Sequence, residues 1–210
     1  MNLLIFGSTG GVGRQLVQQA LDQGHTVTAF ARNPATLGIK HKRLLTVQGD
    51  VMDAASVERA MPGQEAVLAA LGSSPLKNTE VRSEGNRKII GAMEKAGIRR
   101  LVSLSTLGAR DSWQILPIKY KILFRTLLRK ALSAHEGQEK YITQSQLDWT
   151  IVRPGAFKDG DRTGKYRHGF LSTDKTIAAE ISRADVADFM LKQLVDDTYI
   201  RQAPGLSYSR

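Results

Sequence analysis

Six short apolar runs punctuate the chain, at residues 3–6, 26–31, 44–47, 66–71, 101–104 and 149–152. They are rich in Val, Leu and Ile and lack clean polar alternation, the pattern of strands buried on both faces. Between the runs the apolar spacing turns helical. Val12, Leu16, Val17, Ala20 and Leu21 form one stripe, with Gly24 placed where a C-terminal cap belongs. Val57, Ala60 and Met61 form a shorter stripe before Pro62-Gly63, and Ile89, Ile90, Met93 and Ala96 form a third, stopped by Gly97. A last helix is expected within 181–194, where Val186, Phe189, Met190 and Leu194 share a face and Ser182 is a plausible N-cap. Strand–helix alternation at this spacing predicts an α/β fold, a parallel sheet wrapped by right-handed crossovers. No internal repeat, low-complexity segment or linker interrupts it, so residues 1–210 are expected to form a single domain.

Two segments break the pattern. Residues 110–135 are basic and apolar (Trp113, Ile115, Leu116 and Ile118, then Lys119, Lys121, Arg125, Arg129 and Lys130), and residues 155–175 are rich in Gly, Asp, Lys and Arg and read as a loop. Both follow strands, and in an open α/β sheet the connections at the carboxyl ends of strands carry the ligand. The stretches around 107–135 and 155–175 are therefore the expected substrate side.

Composition narrows the classes. The chain carries 30 Lys and Arg against 20 Asp and Glu, a net charge of +10, and has no cysteine. Disulfide scaffolds, zinc-thiolate sites, iron–sulfur clusters and cysteine nucleophiles are thereby excluded. His135 and Glu139 have i, i+4 spacing without an evident third ligand, so no metal is expected. No apolar run approaches the roughly 18 residues of a spanning helix, and the opening run is too short and lacks the basic flank of a signal peptide. A cytoplasmic location and a monomer are expected. The basic residues are spread out without interleaved aromatics, which argues against nucleic acid as a partner. For the stretch 115–133 three readings stand: a lid drawing in an anionic substrate, a contact with an anionic membrane surface, or a solvated helix face.

The strongest chemical signal is Gly7-Ser8-Thr9-Gly10-Gly11-Val12-Gly13, placed between the first strand and the first helix. Glycine allows the sharp turn and the close approach of a diphosphate, and the helix N-terminus offers free N–H groups and the positive end of its dipole. Gly13 lets the helix pack closely on the strand. In this dinucleotide-binding arrangement, the Rossmann-like doubly wound sheet, an acid about 20 residues beyond the glycines selects NAD, whereas Arg suits the 2′-phosphate of NADP. The second strand ends in Arg32 with no acid beside it, so NADPH/NADP is the expected cofactor. Asp50 and Val51 at the third strand's end, and Leu71, Gly72 and Ser73 at the fourth's, follow in the order a bound dinucleotide would meet them.

Together with Ser83-Glu84-Gly85-Asn86, Ser103-Leu104-Ser105-Thr106 and Asp148-Trp149-Thr150-Ile151-Val152-Arg153-Pro154, these residues resemble the NmrA-like branch of the atypical short-chain dehydrogenases/reductases. The likeness covers nearly the whole chain. Within the branch, Thr163-Gly164-Lys165-Tyr166 and Ile181-Ser182-Arg183-Ala184-Asp185 are similar to the biliverdin IXβ reductase/flavin reductase group. The resemblance implies a catalytic hydroxyl at Thr106 with Ser105 as its neighbour, His135 in roughly the place of the usual lysine, and Pro154 and Gly155 against the cofactor. The tyrosine–lysine pair of ordinary short-chain dehydrogenases is missing, because four residues after Tyr120, Tyr141, Tyr166 and Tyr199 come Phe124, Ser145, Phe170 and Ala203. Ketone reduction wants a positioned acid, and threonine is too weak a one. A planar conjugated acceptor, a flavin such as FMN or a linear tetrapyrrole such as biliverdin, spreads the charge itself and is the expected small-molecule substrate. His135 is either a proton donor or a structural partner. The rival expectation is a non-catalytic NADP(H)-binding redox sensor or assembly protein.

Overall fold

The computed structural model describes residues 1–72, 80–126, 128–171, 174 and 176–210, without the side chains of Lys119 and Phe124. All six apolar runs are strands: β1 (Asn2–Phe6), β2 (Thr26–Ala31), β3 (Leu44–Gln48), β4 (Ala66–Ala69), β5 (Arg100–Leu104) and β6 (Asp148–Pro154). Four short strands follow: β7 (Ala156–Lys158), β8 (Arg167–His168), β9 (Glu180–Ser182) and β10 (Gly205–Ser207). The main sheet runs β3-β2-β1-β4-β5-β6-β10-β8, parallel except for the β10–β8 pair, while β7 and β9 form a separate parallel pair. Leu3 faces Val27 on one side and Ala66 on the other, so the strand order reverses at β1. That reversal opens a crevice at the carboxyl ends of β1 and β4.

The helices are α1 (Gly11–Asp22), α2 (Ala54–Arg59), α3 (Glu80–Ala96), α4 (Ile118–Thr126), α5 (Arg129–Gln144) and α6 (Arg183–Lys192). Alternation along β1 divides the core. Leu3 and Ile5 pack with Leu16, Val17, Val186 and Phe189 of α1 and α6, whereas Leu4 and Phe6 pack with Val57, Ile89, Met93 and Ile142 of α2, α3 and α5. This two-layered burial is why the strands carry no polar face. Ser182 caps α6 as its position predicted, accepting the Asp185 N–H at 3.0 Å.

The two segments that broke the sequence pattern pack on each other. Leu107, Leu116, Ile177 and Ala179 form a third small core, with Trp113, Tyr120 and Phe170 against it. Within the stretch read as a loop lie two short strands, β7 and β8, with the irregular residues 159–166 between them. Asp185 anchors it by accepting the N–H groups of Thr163 and Gly164 and the hydroxyls of Thr163 and Tyr208. Burial opposes the Asp185 charge, yet these donors together hold its carboxyl below the usual range. Among the described residues no helix is long and apolar enough to cross a membrane.

Candidate functional site

At the carboxyl end of β1 the chain turns through Gly7, at φ +73°, and the Gly10 N–H closes the turn on the Gly7 carbonyl at 3.0 Å. A Cβ on Gly13 would drive into that same carbonyl oxygen, so the first turn of α1 lies directly on the loop. Gly10 is the N-cap and no side chain caps the helix. The amide donors of the first turn are left for a ligand, and the helix dipole makes that ligand an anion.

A cleft of about 500 Å³ opens here. Of the residues expected at a cofactor, it is lined by Gly7, Thr9, Gly10, Arg32, Asp50, Val51, Leu71 and Gly72. Ser8 lies behind the wall, its hydroxyl donating to the Phe30 carbonyl at 3.0 Å and tying the loop to β2. Val12 belongs to the core, and Gly11 is exposed beside Arg183, whose Cδ would lie 2.6 Å from a Cβ there. Ser73 lies outside the described residues. Asn33, Thr36, Met52 and Val81 also line the cleft and escaped the sequence reading; Asn33 alone had a signal, as the neighbour of Arg32. Arg32 is exposed at the rim. Arg43 is turned away, donating to the Leu21 carbonyl at the end of α1. Asp50 accepts the Met52 N–H at 2.9 Å, which orients its carboxylate.

The other expected residues gather at the ends of β5 and β6. Gly155 and Thr106 line a second cavity of about 150 Å³ with Leu107, Leu116, Tyr120, Leu123 and Leu128, so α4 turns one face onto it. Pro154 is buried beside it and accepts the Leu107 N–H at 2.8 Å. The Thr106 hydroxyl rests on the Leu107 carbonyl at 3.2 Å.

Ser105 is buried, and its hydroxyl donates to Glu139 at 2.6 Å, with His135 Nδ1 3.4 Å away. Glu139 in turn takes both arms of Arg153, at 3.0 and 2.7 Å, and Arg153 reaches Asp111 at 2.9 Å. Burial works against the Arg153 charge, but the bonds and field of Glu139, then Asp111, outweigh it and raise its pKa. Burial, and then the field of Arg82, hold His135 well below its ordinary pKa, so the ring is neutral. Because the Ser105 proton is committed to Glu139, the Nδ1 of His135 meets a hydroxyl oxygen and is the donor. Glu139 and Arg153 were visible in the sequence, but their pairing was not. Among the described residues no cluster of three or more acids and histidines could hold a metal ion.

The sequence matches, over residues 7–197, a family model described as NAD(P)H-binding. The chain belongs to this NAD(P)H-binding family. Its fold and glycine loop are consistent with an atypical short-chain dehydrogenase/reductase of the NmrA-like kind. Among relatives, the photosystem II assembly factor Ycf39 of Synechocystis sp. is 28% identical over 221 residues, covering 100% of this chain and 63% of its own length. This chain thus spans just under two thirds of that relative. A (4-alkanoyl-5-oxo-2,5-dihydrofuran-3-yl)methyl phosphate reductase of Streptomyces griseus is 28% identical, over 74% of this chain and 48% of its own. Among solved structures, ChuY, an anaerobillin reductase from Escherichia coli O157:H7, is 27% identical with a TM-score of 0.78, covering 99% of this chain and 97% of its own. A Veillonella parvula short-chain dehydrogenase/reductase in complex with NADP shares the fold, with TM-score 0.83 at 21% identity over 98% of this chain and 94% of its own.

Proposed function

We propose that this protein is an NADPH-dependent reductase acting on a planar conjugated acceptor, a flavin such as FMN or a linear tetrapyrrole such as biliverdin. One observation carries the reading. Among the described residues the polar cluster beside Thr106 holds no strong acid for neutral pH: burial keeps His135 neutral, Ser105 is bound to Glu139, and Tyr120, which lines the cavity, is followed four residues on by Phe124 and not by a lysine. Such a site serves an acceptor that disperses the incoming negative charge and takes its proton from water. The cavity beside Thr106 is apolar and, at about 150 Å³, takes only part of a flat conjugated body, the edge of a ring laid against Leu107, Leu116 and Tyr120; the likeness to ChuY supports a tetrapyrrole as one form of it.

In this reading the uncapped α1 N-terminus, with Gly7, Thr9 and Gly10, holds the diphosphate, while Ser8, Gly11, Val12 and Gly13 shape the loop. Arg32 takes the 2′-phosphate, Asp50 and Val51 the adenine, and Leu71, Gly72, Ser73, Pro154 and Gly155 the nicotinamide half. When bound, the dinucleotide supplies a hydride. Thr106 offers a hydrogen bond to the acceptor, and Ser105 and His135 position the β5 end. The α4 face over the second cavity is the lid, closing the substrate side formed by 107–135 and 155–175.

A second reading, an NADP(H)-binding assembly or sensor protein, is favoured by the likeness to Ycf39 and by the same absence of an acid. The deciding experiment follows NADPH consumption with FMN, riboflavin and biliverdin isomers, with NADH as control. Turnover with a preference for NADPH establishes the reductase. Tight NADPH binding without turnover of any acceptor establishes the sensor.

A further inference from the structure

Among the described residues Arg82 has no counter-ion; it borders the cleft at Leu71, and its charge reaches His135. Arg82, in the first turn of α3, donates from Nη1 to the carbonyl of Leu71 at 2.7 Å, and Leu71 itself lines the cleft. That bond fixes the guanidinium plane. Its Nε is buried and finds no acceptor among the described residues. Two other arginines at this end of the sheet are neutralised, Arg153 by Glu139 and Asp111 and Arg183 by Asp159, while Arg32 is exposed to solvent at the rim. The acids next to Arg82 in the sequence do not serve it, since Glu84 is taken by Arg87 and Tyr141, and Glu80 is exposed. Residues 73–79 read Ser-Ser-Pro-Leu-Lys-Asn-Thr and bring no carboxylate. Burial alone lowers the Arg82 pKa, to about 10, and the same charge is felt by His135. A desolvated charge left unpaired is costly, and removing it with an apolar side chain of similar size tends to stabilise a fold. A charge kept in that state beside a ligand cleft is accounted for by an anionic ligand.

We propose that Arg82 is the anion-binding residue of the acceptor site, pairing with a carboxylate or phosphate of the molecule held beside Ser105 and Thr106. This rests on the reading of that place as the acceptor site. Nε and Nη2 have no protein acceptor among the described residues; Nε is covered, so the anion is met by Nη2.

The test uses the protein saturated with NADP, as wild type, Arg82→Met and Arg82→Lys. Calorimetry measures binding of inorganic phosphate, of FMN against riboflavin, which differ by one phosphate, and of biliverdin against its dimethyl ester. Losing one charge-assisted pair weakens binding about tenfold or more. Arg82→Met is expected to weaken phosphate by that factor and to abolish the advantage of FMN over riboflavin, or of biliverdin over its ester. Arg82→Lys keeps part of it; NADP affinity holds in both, and thermal stability holds in Arg82→Lys and holds or rises in Arg82→Met. Which pair loses its advantage tells phosphate from carboxylate. The proposal is overturned if Arg82→Met changes neither phosphate affinity nor either ratio, or if it lowers NADP affinity by the same factor, which assigns Arg82 to the cofactor. If the wild type binds no flavin or tetrapyrrole, yet phosphate still distinguishes it from Arg82→Met, the anion site stands and the proposed acceptors fall.

Discussion

Glu139 has no exposure to solvent, and its charge is kept by groups from two other elements, the Ser105 hydroxyl and both arms of Arg153. Removing one partner of a buried pair strands the other. Glu139→Gln is therefore expected to cost about 3–5 kcal/mol, read as a lower denaturation midpoint with an unchanged slope. Adding Arg153→Met should recover part of the loss, because no uncompensated charge then remains. A midpoint unmoved by Glu139→Gln would mean that the pair is not formed. Arg32 poses the opposite case, an exposed cation at the cleft to which we assign a ligand's phosphate. Arg32→Gln should weaken NADPH by about 10–100-fold and leave NADH unchanged, measured as dissociation constants; equal effects on both would remove its 2′-phosphate role. The difference in legibility between these residues has a physical cause. Arg32 follows from a local pattern, the end of a strand after a glycine loop. Glu139 and Arg153 meet only because α5 packs over the end of β6; the i, i+4 spacing of His135 and Glu139, which do share the Ser105 hydroxyl, carries no trace of Arg153.

At the scale of elements, long buried strands and the glycine turn are legible because each has its own local pattern. All six runs became strands, although β4 stops at Ala69 and β6 extends to Pro154. The short strands β7 to β10 hold two or three residues each, too few for a period, and they exist because the third small core and Asp185 hold the segment in place. α5 was obscured likewise, since its buried side carries His135, Gln138 and Glu139 beside Ala134 and Ile142 and makes no apolar stripe. The same logic separates two glycines. Gly13→Ala places a methyl against the backbone carbonyl of Gly7, which cannot swing aside. It is expected to cost about 1–3 kcal/mol and to lose NADPH binding as the α1 N-terminus shifts off its loop. Gly91→Ala, in α3 with open space around it, is expected to be neutral or to stabilise by up to about 1 kcal/mol. Thermal melts and NADPH titration of the two variants check both; a neutral Gly13→Ala would contradict the close approach of helix and loop.

For the molecule as a whole, histidine burial and net charge both act on stability when the pH falls, and they can be told apart. His135, His25 and His168 are all held below the ordinary value of 6.5, chiefly by burial. A group depressed in this way binds its proton more readily in the unfolded chain, so stability is full above 6.5 and is lost as the pH falls from there toward the folded values. The depressed carboxylates act in a lower window. Asp174 at about 2, and Asp148, Asp185 and Asp196 below 3.8, contribute fully until the pH approaches 3.8. Between neutrality and mild acidity the histidines therefore set the slope, together with the repulsion of a chain already at +10. Repulsion between surface charges is screened by salt, whereas the cost of protonating a ring inside the fold is screened far less. In high salt the melting temperature should still fall with pH, and His135→Asn should flatten that fall without abolishing it, because His25 and His168 remain. If the slope vanished in salt, repulsion alone would explain it. If His135→Asn left it unchanged, the ring would already carry its proton in the folded state, and the argument for an acceptor that needs no protein acid would lose its main support.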